Sequence, residues 1–151
     1  MRSEPDRAGV RFPPPFLLAG LLGLGWLLQK LTPLVWIPAR PGDWIGTVLL
    51  VLSVALFLWA VVSMQRFGGS LSTHTPTPAI VVRGPYAFSR NPIYLAMVGV
   101  LVAAAFKTQS AWFLILAAAG VWLYQWGVIW REEAYLSRKF GVEYAAYRER
   151  V

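Results

Sequence analysis

Cysteine is absent from the 151 residues, so no disulfide, thiol nucleophile or thiolate metal site is available. A single histidine, His74, leaves no imidazole cluster, and a metal centre needs more ligands than this. Charge is scarce as well: Asp, Glu, Lys and Arg make up 14% of the chain, against roughly 25% in soluble domains. No Gly-x-Gly-x-x-Gly fingerprint follows a strand-like stretch, which removes the usual nucleotide-binding loop. What fills the chain instead is hydrocarbon. Hydrophobic residues account for 57%, and eight residues are tryptophan.

Runs of about 20 apolar residues mark membrane spans. Four candidate runs occur, at about 15–35, 44–64, 92–106 and 111–130. Gln29 and Lys30 interrupt the first late, where long side chains can snorkel to an interface. Its length, and the lack of a small-residue cleavage site, argue against a removed signal peptide. The third run is short, ~22 Å as a helix against a ~30 Å hydrocarbon core. The pattern predicts an all-α membrane protein: about four transmembrane helices plus a C-terminal amphipathic interfacial helix, with residues 1–151 as one integral membrane domain.

The net charge of +7 marks topology rather than nucleic-acid binding. Eleven basic residues fall on one side: Arg2, Arg7, Arg11, Arg66, Arg83, Arg90, Arg131, Arg138, Lys139, Arg148 and Arg150. Only Lys30, Arg40 and Lys107, three residues, fall on the other. The positive-inside rule then puts both termini and the 65–91 loop in the cytoplasm. After Trp130 the spacing of Leu136, Phe140, Tyr144 and Tyr147 predicts a separate helix lying on the membrane surface, with Gly141 a natural break.

Asn91 suits a helix N-cap and Pro92 the first helical position, so the third helix begins there, with its unpaired N–H groups at or below the cytoplasmic interface. Ala96, Gly99 and Ala103 share one face, allowing close helix packing or a ligand. Glu132 and Glu133, at the end of the fourth run, have two readings. They mark the water boundary and pair with Arg131 or Arg90, or one faces inward with a partner. On an ideal helix Gln125, Ile129 and Glu132 share a face. The cluster of Tyr86, Arg90, Asn91 and Tyr94 reads either as an anion-binding helix start with aromatic faces or as an aromatic belt at the headgroups. His74, alone in its loop, reads most simply as solvated. Carboxylates and helix-start N–H donors on one membrane side suit a zwitterionic amino-acid group, and the apolar face beside them suits a greasy second ligand.

Three stretches carry a resemblance: Gly84-Pro85-Tyr86, Ser89-Arg90-Asn91-Pro92-x-Tyr94-Leu95, and Glu132-Glu133-x-x-Leu136-x-x-x-Phe140-Gly141-x-x-Tyr144-x-x-Tyr147. Over about residues 66–151 the chain resembles the isoprenylcysteine carboxyl methyltransferase and phospholipid methyltransferase family of integral membrane enzymes. The resemblance implies methyl transfer from S-adenosyl-L-methionine to a lipophilic acceptor at the cytoplasmic membrane face, with 66–151 as the cofactor-binding half. It assigns cofactor contact to Tyr86, Arg90, Asn91, Pro92, Tyr94, Leu95, Glu132 and Glu133. His74 is taken with this set. Arg131 is assigned to catalysis, holding an acceptor carboxylate, and no metal ligand is expected. Asn91 stands where eukaryotic members have histidine, so the chain resembles the bacterial branch, implying a multi-pass protein of a bacterial inner membrane. Ala96 replaces a glycine common in relatives. Membrane lipids and a lipophilic acceptor are the expected partners. The alternatives are a non-catalytic four-span scaffold or binding protein, and a membrane reductase, which would need a longer chain.

Overall fold

A computed structural model describes residues 13–70 and 77–151. Helix α1 runs Pro14–Leu31, α2 Ala39–Arg66, α3 Pro92–Lys107, α4 Ala111–Tyr124, α5 Trp130–Phe140 and α6 Val142–Arg150. A 3-10 turn at Gly84–Ala87 precedes α3, and a π-helical turn at Gln125–Ile129 joins α4 to α5. Three stretches are long and apolar enough to cross a membrane: Pro14–Leu31, Gly42–Arg66 and Ala111–Phe140. Helix α3 is apolar but shorter. This is an α-helical membrane protein.

Two boundaries differ from the sequence expectation. The first span stops at Leu31, not near residue 35, because Pro33 disfavours helical geometry at Thr32, which adopts φ −140°. The tail after Trp130 is not a separate surface element either. It continues the fourth span through the π-turn as one rod to Phe140, and the chain breaks only at Gly141, whose φ of +51° favours glycine. The expected stripe is therefore split between α5 and α6.

Helix α3 is the spine, with α2, α4 and α1 packed around it. Close approach depends on missing side chains. A Cβ on Gly99 of α3 would lie 2.3 Å from Ser53 Oγ on α2, and one on Gly46 would lie 2.7 Å from the backbone N of Lys107. Small residues thus let the two backbones meet where lipid supplies no hydrophobic drive. Leu21, Leu101, Phe113 and Leu116 fill one core, while large apolar groups such as Trp26, Trp44 and Leu52 face outward, as a lipid-facing surface requires. At the end away from Glu132 and Glu133, Trp36 Nε1 donates to Ala105 O at 3.2 Å and Trp112 Nε1 to Thr32 O at 2.7 Å. Lys107 pairs there with Asp43 and donates to Thr47 Oγ1. These contacts tie the 32–38 loop to the α3–α4 turn.

Candidate functional site

The first turn of α3 and the far end of the α4–α5 rod meet through side chains. Tyr94 Oη donates to Glu132 Oε1 at 2.8 Å, and the Tyr94 ring stacks on Tyr124 at 5.4 Å between centroids. Arg90 Nε binds Glu133 Oε1 at 3.0 Å, while its Nη1 donates to the carbonyl of Arg148 at 3.4 Å. Helix α6 is held down a second time, by Tyr147 Oη donating to the carbonyl of Tyr86 at 2.7 Å. The Thr77 N–H donates to Tyr135 Oη, drawing the loop before the 3-10 turn onto α5. Glu133 is thus neutralised by Arg90, whereas Glu132 is ion-paired to none of the described residues.

A π-helical turn joins the last turn of α4 to α5 just before Glu132. Wide i→i+5 turns insert an extra residue into a helix, and one residue is worth about 100° of rotation. Ile129 is buried in the core beside Tyr94 and Val128, while Glu132, three residues on, faces the cleft. Ile129 and Glu132 thus both lie against Tyr94, as their shared face predicts, and the π-turn lies before them, between Gln125 and Ile129. A hydrophobicity pattern carries no signal of that turn.

These elements enclose a cleft of about 120 Å³, with Tyr86, Arg90, Glu132 and Glu133 on its walls and Tyr135, Tyr144 and Tyr147 supplying aromatic faces. A smaller chamber of about 70 Å³ adjoins it, bounded by Pro92, Ile93 and Tyr94 at the start of α3. Met64, Ser70, Tyr86, Arg90, Asn91 and Glu132 border both. The Ile93 and Tyr94 N–H groups lie in the first turn, where helices leave donors unpaired. Tyr86 is 5% exposed, and its hydroxyl has no hydrogen-bond partner among the described residues. Burial, and next the charge of Glu132, push the Tyr86 phenol well above its usual range, so it stays protonated. A buried hydroxyl left without a partner, beside a carboxylate with no cation partner among the described residues, is expensive unless something polar enters. This donor set fits a nucleoside cofactor with a cationic amino-acid group: carboxylates for cations and hydroxyls, N–H groups for a carboxylate, and tyrosine rings for a base. The cleft is open on one side, so a ligand larger than its enclosed volume extends outward.

Of the residues singled out in the sequence, Tyr86, Arg90, Asn91, Pro92, Tyr94, Glu132 and Glu133 come together around this cleft. Asn91 occupies the N-cap position, yet its side chain makes no capping hydrogen bond; it borders the cleft, and its N–H donates to Ser89 Oγ at 3.2 Å. Leu95 points away, 56% exposed, because it lies one residue past the inward-facing Tyr94. Arg131 borders neither chamber, being a turn-step away from Glu132. His74 lies outside the described residues. Sequence reasoning did not include Tyr135, Met64 or the Thr77–Val81 strap in the site. No local pattern marks them, since they arrive through tertiary contact alone.

A sequence model of the phospholipid methyltransferase family matches residues 42–143, two thirds of the chain. No curated protein and no solved structure matches at a significant level. The matched stretch holds the cleft walls on α2, the strap, α3 and α5, and stops just short of Tyr144. A chain matched over that stretch, with helices built to cross a bilayer, belongs to the phospholipid methyltransferase family of membrane methyltransferases.

Proposed function

We propose that the chain binds S-adenosyl-L-methionine in the cleft between α3, α5 and α6 and methylates a lipophilic acceptor at the cytoplasmic membrane face. The acceptor is an isoprenylcysteine-like carboxylate or a related lipid or small molecule. The observation that carries this reading is the Glu132 carboxylate, held by Tyr94 and with no cation partner among the described residues, beside the Tyr86 hydroxyl that has no hydrogen-bond partner among them, within a chain of a methyltransferase family. The Lys and Arg distribution supports the cytoplasmic face, where this cofactor is made.

Glu132 and Glu133 would hold the cationic and hydroxyl groups of the cofactor, the first-turn N–H groups of α3 its carboxylate, and Tyr135, Tyr144 and Tyr147 its base. The bound cofactor supplies a sulfonium-activated methyl group. Such a methyl needs no protein nucleophile, consistent with a chain that has no cysteine. The work left to the protein is alignment and exclusion of water, which together are worth up to about 7–11 kcal/mol in well-oriented systems. The Tyr94–Tyr124 stack and Met97 close the membrane-side wall with hydrocarbon. No general base is assigned, and Arg131, which lines neither chamber, is left out of the reaction.

The test is methyl transfer in proteoliposomes supplied with a labelled donor and a total bacterial lipid extract. Label should enter the lipid phase with the native chain and fall sharply with Glu132→Gln. A folded native protein that transfers none to any lipid class, to prenylated thiols or to small lipophiles contradicts the proposal.

A further inference from the structure

Helix α2 ends in a basic edge that the cleft does not use. Its span Gly42–Arg66 is 25 residues, ~37 Å as a helix against a ~30 Å hydrocarbon core, so Arg66 reaches headgroup depth. Leu52, Ala55, Trp59, Val62 and Arg66 share one outward face at helical spacing, and all are exposed. The 3-10 turn brings a second cation to the same place. A Cβ on Gly84, whose φ is +64°, would lie 2.5 Å from Ser63 Oγ and 3.3 Å from Trp59 Nε1. Only glycine lets the turn seat against α2 there. Arg83, the residue before it, lies over the Phe67 ring, its guanidinium carbon 5.6 Å from the centroid. Neither Arg66 nor Arg83 forms an ion pair among the described residues, and neither lines the cleft or the small chamber. The described carboxylates stand elsewhere: Asp43 in the first turns of α2, Glu132 and Glu133 at the cleft, Glu143 and Glu149 on α6.

An apolar, outward-facing column topped by two guanidiniums, with no ion-paired carboxylate beside them, has a clear complement in a bilayer. We infer that Arg66 and Arg83 clamp the phosphate of an anionic phospholipid whose acyl chain runs down the outer face of α2 over Val62, Trp59 and Leu52. Guanidinium forks match phosphate oxygens in pairs, and stacking on Phe67 holds the Arg83 fork in place. Charge decides between headgroups. Choline and ethanolamine headgroups carry an ammonium that calls for a carboxylate, and neither arginine is paired to one. A net-negative headgroup such as phosphatidylglycerol fits both cations. Neither arginine takes part in the proposed methyl transfer. Arg83 nonetheless directly precedes the turn that carries Tyr86 into the cleft, so a headgroup held here ties that turn to the end of α2 from the bilayer side.

The test is native mass spectrometry of the full chain in detergent, offered equal amounts of dioleoyl phosphatidylglycerol and dioleoyl phosphatidylcholine. Phosphatidylglycerol should be retained about tenfold more strongly, a difference of ~1.4 kcal/mol. Arg66→Gln and Arg83→Gln, made separately, should each weaken its retention about fivefold, the size of ~1 kcal/mol per basic side chain at an anionic surface. Arg138→Gln removes the same charge from α5 and should leave retention as in the native chain. Arg66→Gln, on the exposed side of α2, keeps the test valid should Arg83→Gln fail to fold. Position is read by quenching. Brominated phosphatidylglycerol at low mole fraction in phosphatidylcholine vesicles should quench Trp59 first, so Trp59→Phe should remove most of the initial quenching. Equal retention of the two lipids overturns the inference. So does a preference that all three arginine variants reduce alike, the mark of diffuse charge, or one that survives both Arg66→Gln and Arg83→Gln. Initial quenching unchanged by Trp59→Phe overturns the placement on α2.

Discussion

Tyr94 donates its hydroxyl to Glu132 at 2.8 Å, joining two residues 38 positions apart at the boundary between the polar cleft and the apolar helix core. Hydrogen bonds to charged groups contribute about 1.5–3 kcal/mol. Tyr94→Phe should therefore weaken S-adenosyl-L-methionine binding by about tenfold or more, the size of ~1.4 kcal/mol. The two residues act as a unit, so Tyr94→Phe on a Glu132→Gln background should add little. A double-mutant cycle read by calorimetry checks this, and additive losses contradict it.

Arg90 reaches Glu133 with one nitrogen and the Arg148 carbonyl with another, so it fastens α6 to the start of α3. Lysine's compact ammonium lacks the guanidinium's separated donors, so it does not span the two acceptors in the same way. The pair is partly solvated, so Arg90→Lys should cost no more than about 1 kcal/mol of stability. It should, however, loosen α6, and trypsin should remove the C-terminal residues faster than in the native chain while the melting temperature moves little. Equal cleavage rates count against the latch.

Gly99 faces Ser53 so closely that a Cβ has no room. Gly99→Ala should lower the melting temperature in detergent, since overpacking costs about 1–3 kcal/mol. Gly99→Ala with Ser53→Gly should recover most of the loss, because the second change removes the clashing hydroxymethyl. Thermal unfolding of the single and double variants reads this directly.

The tyrosines of the tail set an upper pH limit. Burial first, then neighbouring charge, pushes Tyr144 up to about 12, and burial does the same for Tyr147. A phenol with a raised folded value holds its proton longer in the folded state than in the unfolded one. The stability it contributes is complete below the ordinary value of about 10 and is lost as pH rises from there toward about 12. Melting temperature should be flat from neutral pH to about 9 and then fall. Tyr147→Phe should make that fall shallower, and an unchanged slope removes the assignment.

Much of the fold could be read from composition and spacing, because membrane helices are specified by long apolar runs. Gly141 was visible as a break, Pro33 was passed over within the first apolar run, and the α2–α3 contact is foreshadowed by Gly99. The π-turn at Gln125–Ile129 was not visible: its residues are as apolar as any in the span, and only tertiary packing distinguishes i→i+5 from i→i+4 bonding. The cleft was legible where chemistry is concentrated in sequence, as in Tyr86 to Tyr94 and Glu132-Glu133. It was illegible at Leu95, where being next to a functional tyrosine says nothing of direction, and at Tyr135 and the Thr77–Val81 strap, which reach the site by long-range contact.

The most direct test of the central claim is calorimetric titration of S-adenosyl-L-methionine and S-adenosylhomocysteine into detergent-purified protein, with Glu132→Gln and Glu133→Gln alongside. Saturable binding to the native chain, weakened about tenfold or more by Glu132→Gln, the equivalent of ~1.4 kcal/mol, is the predicted result. A folded native protein that binds neither compound would contradict the account and leave a membrane scaffold in its place.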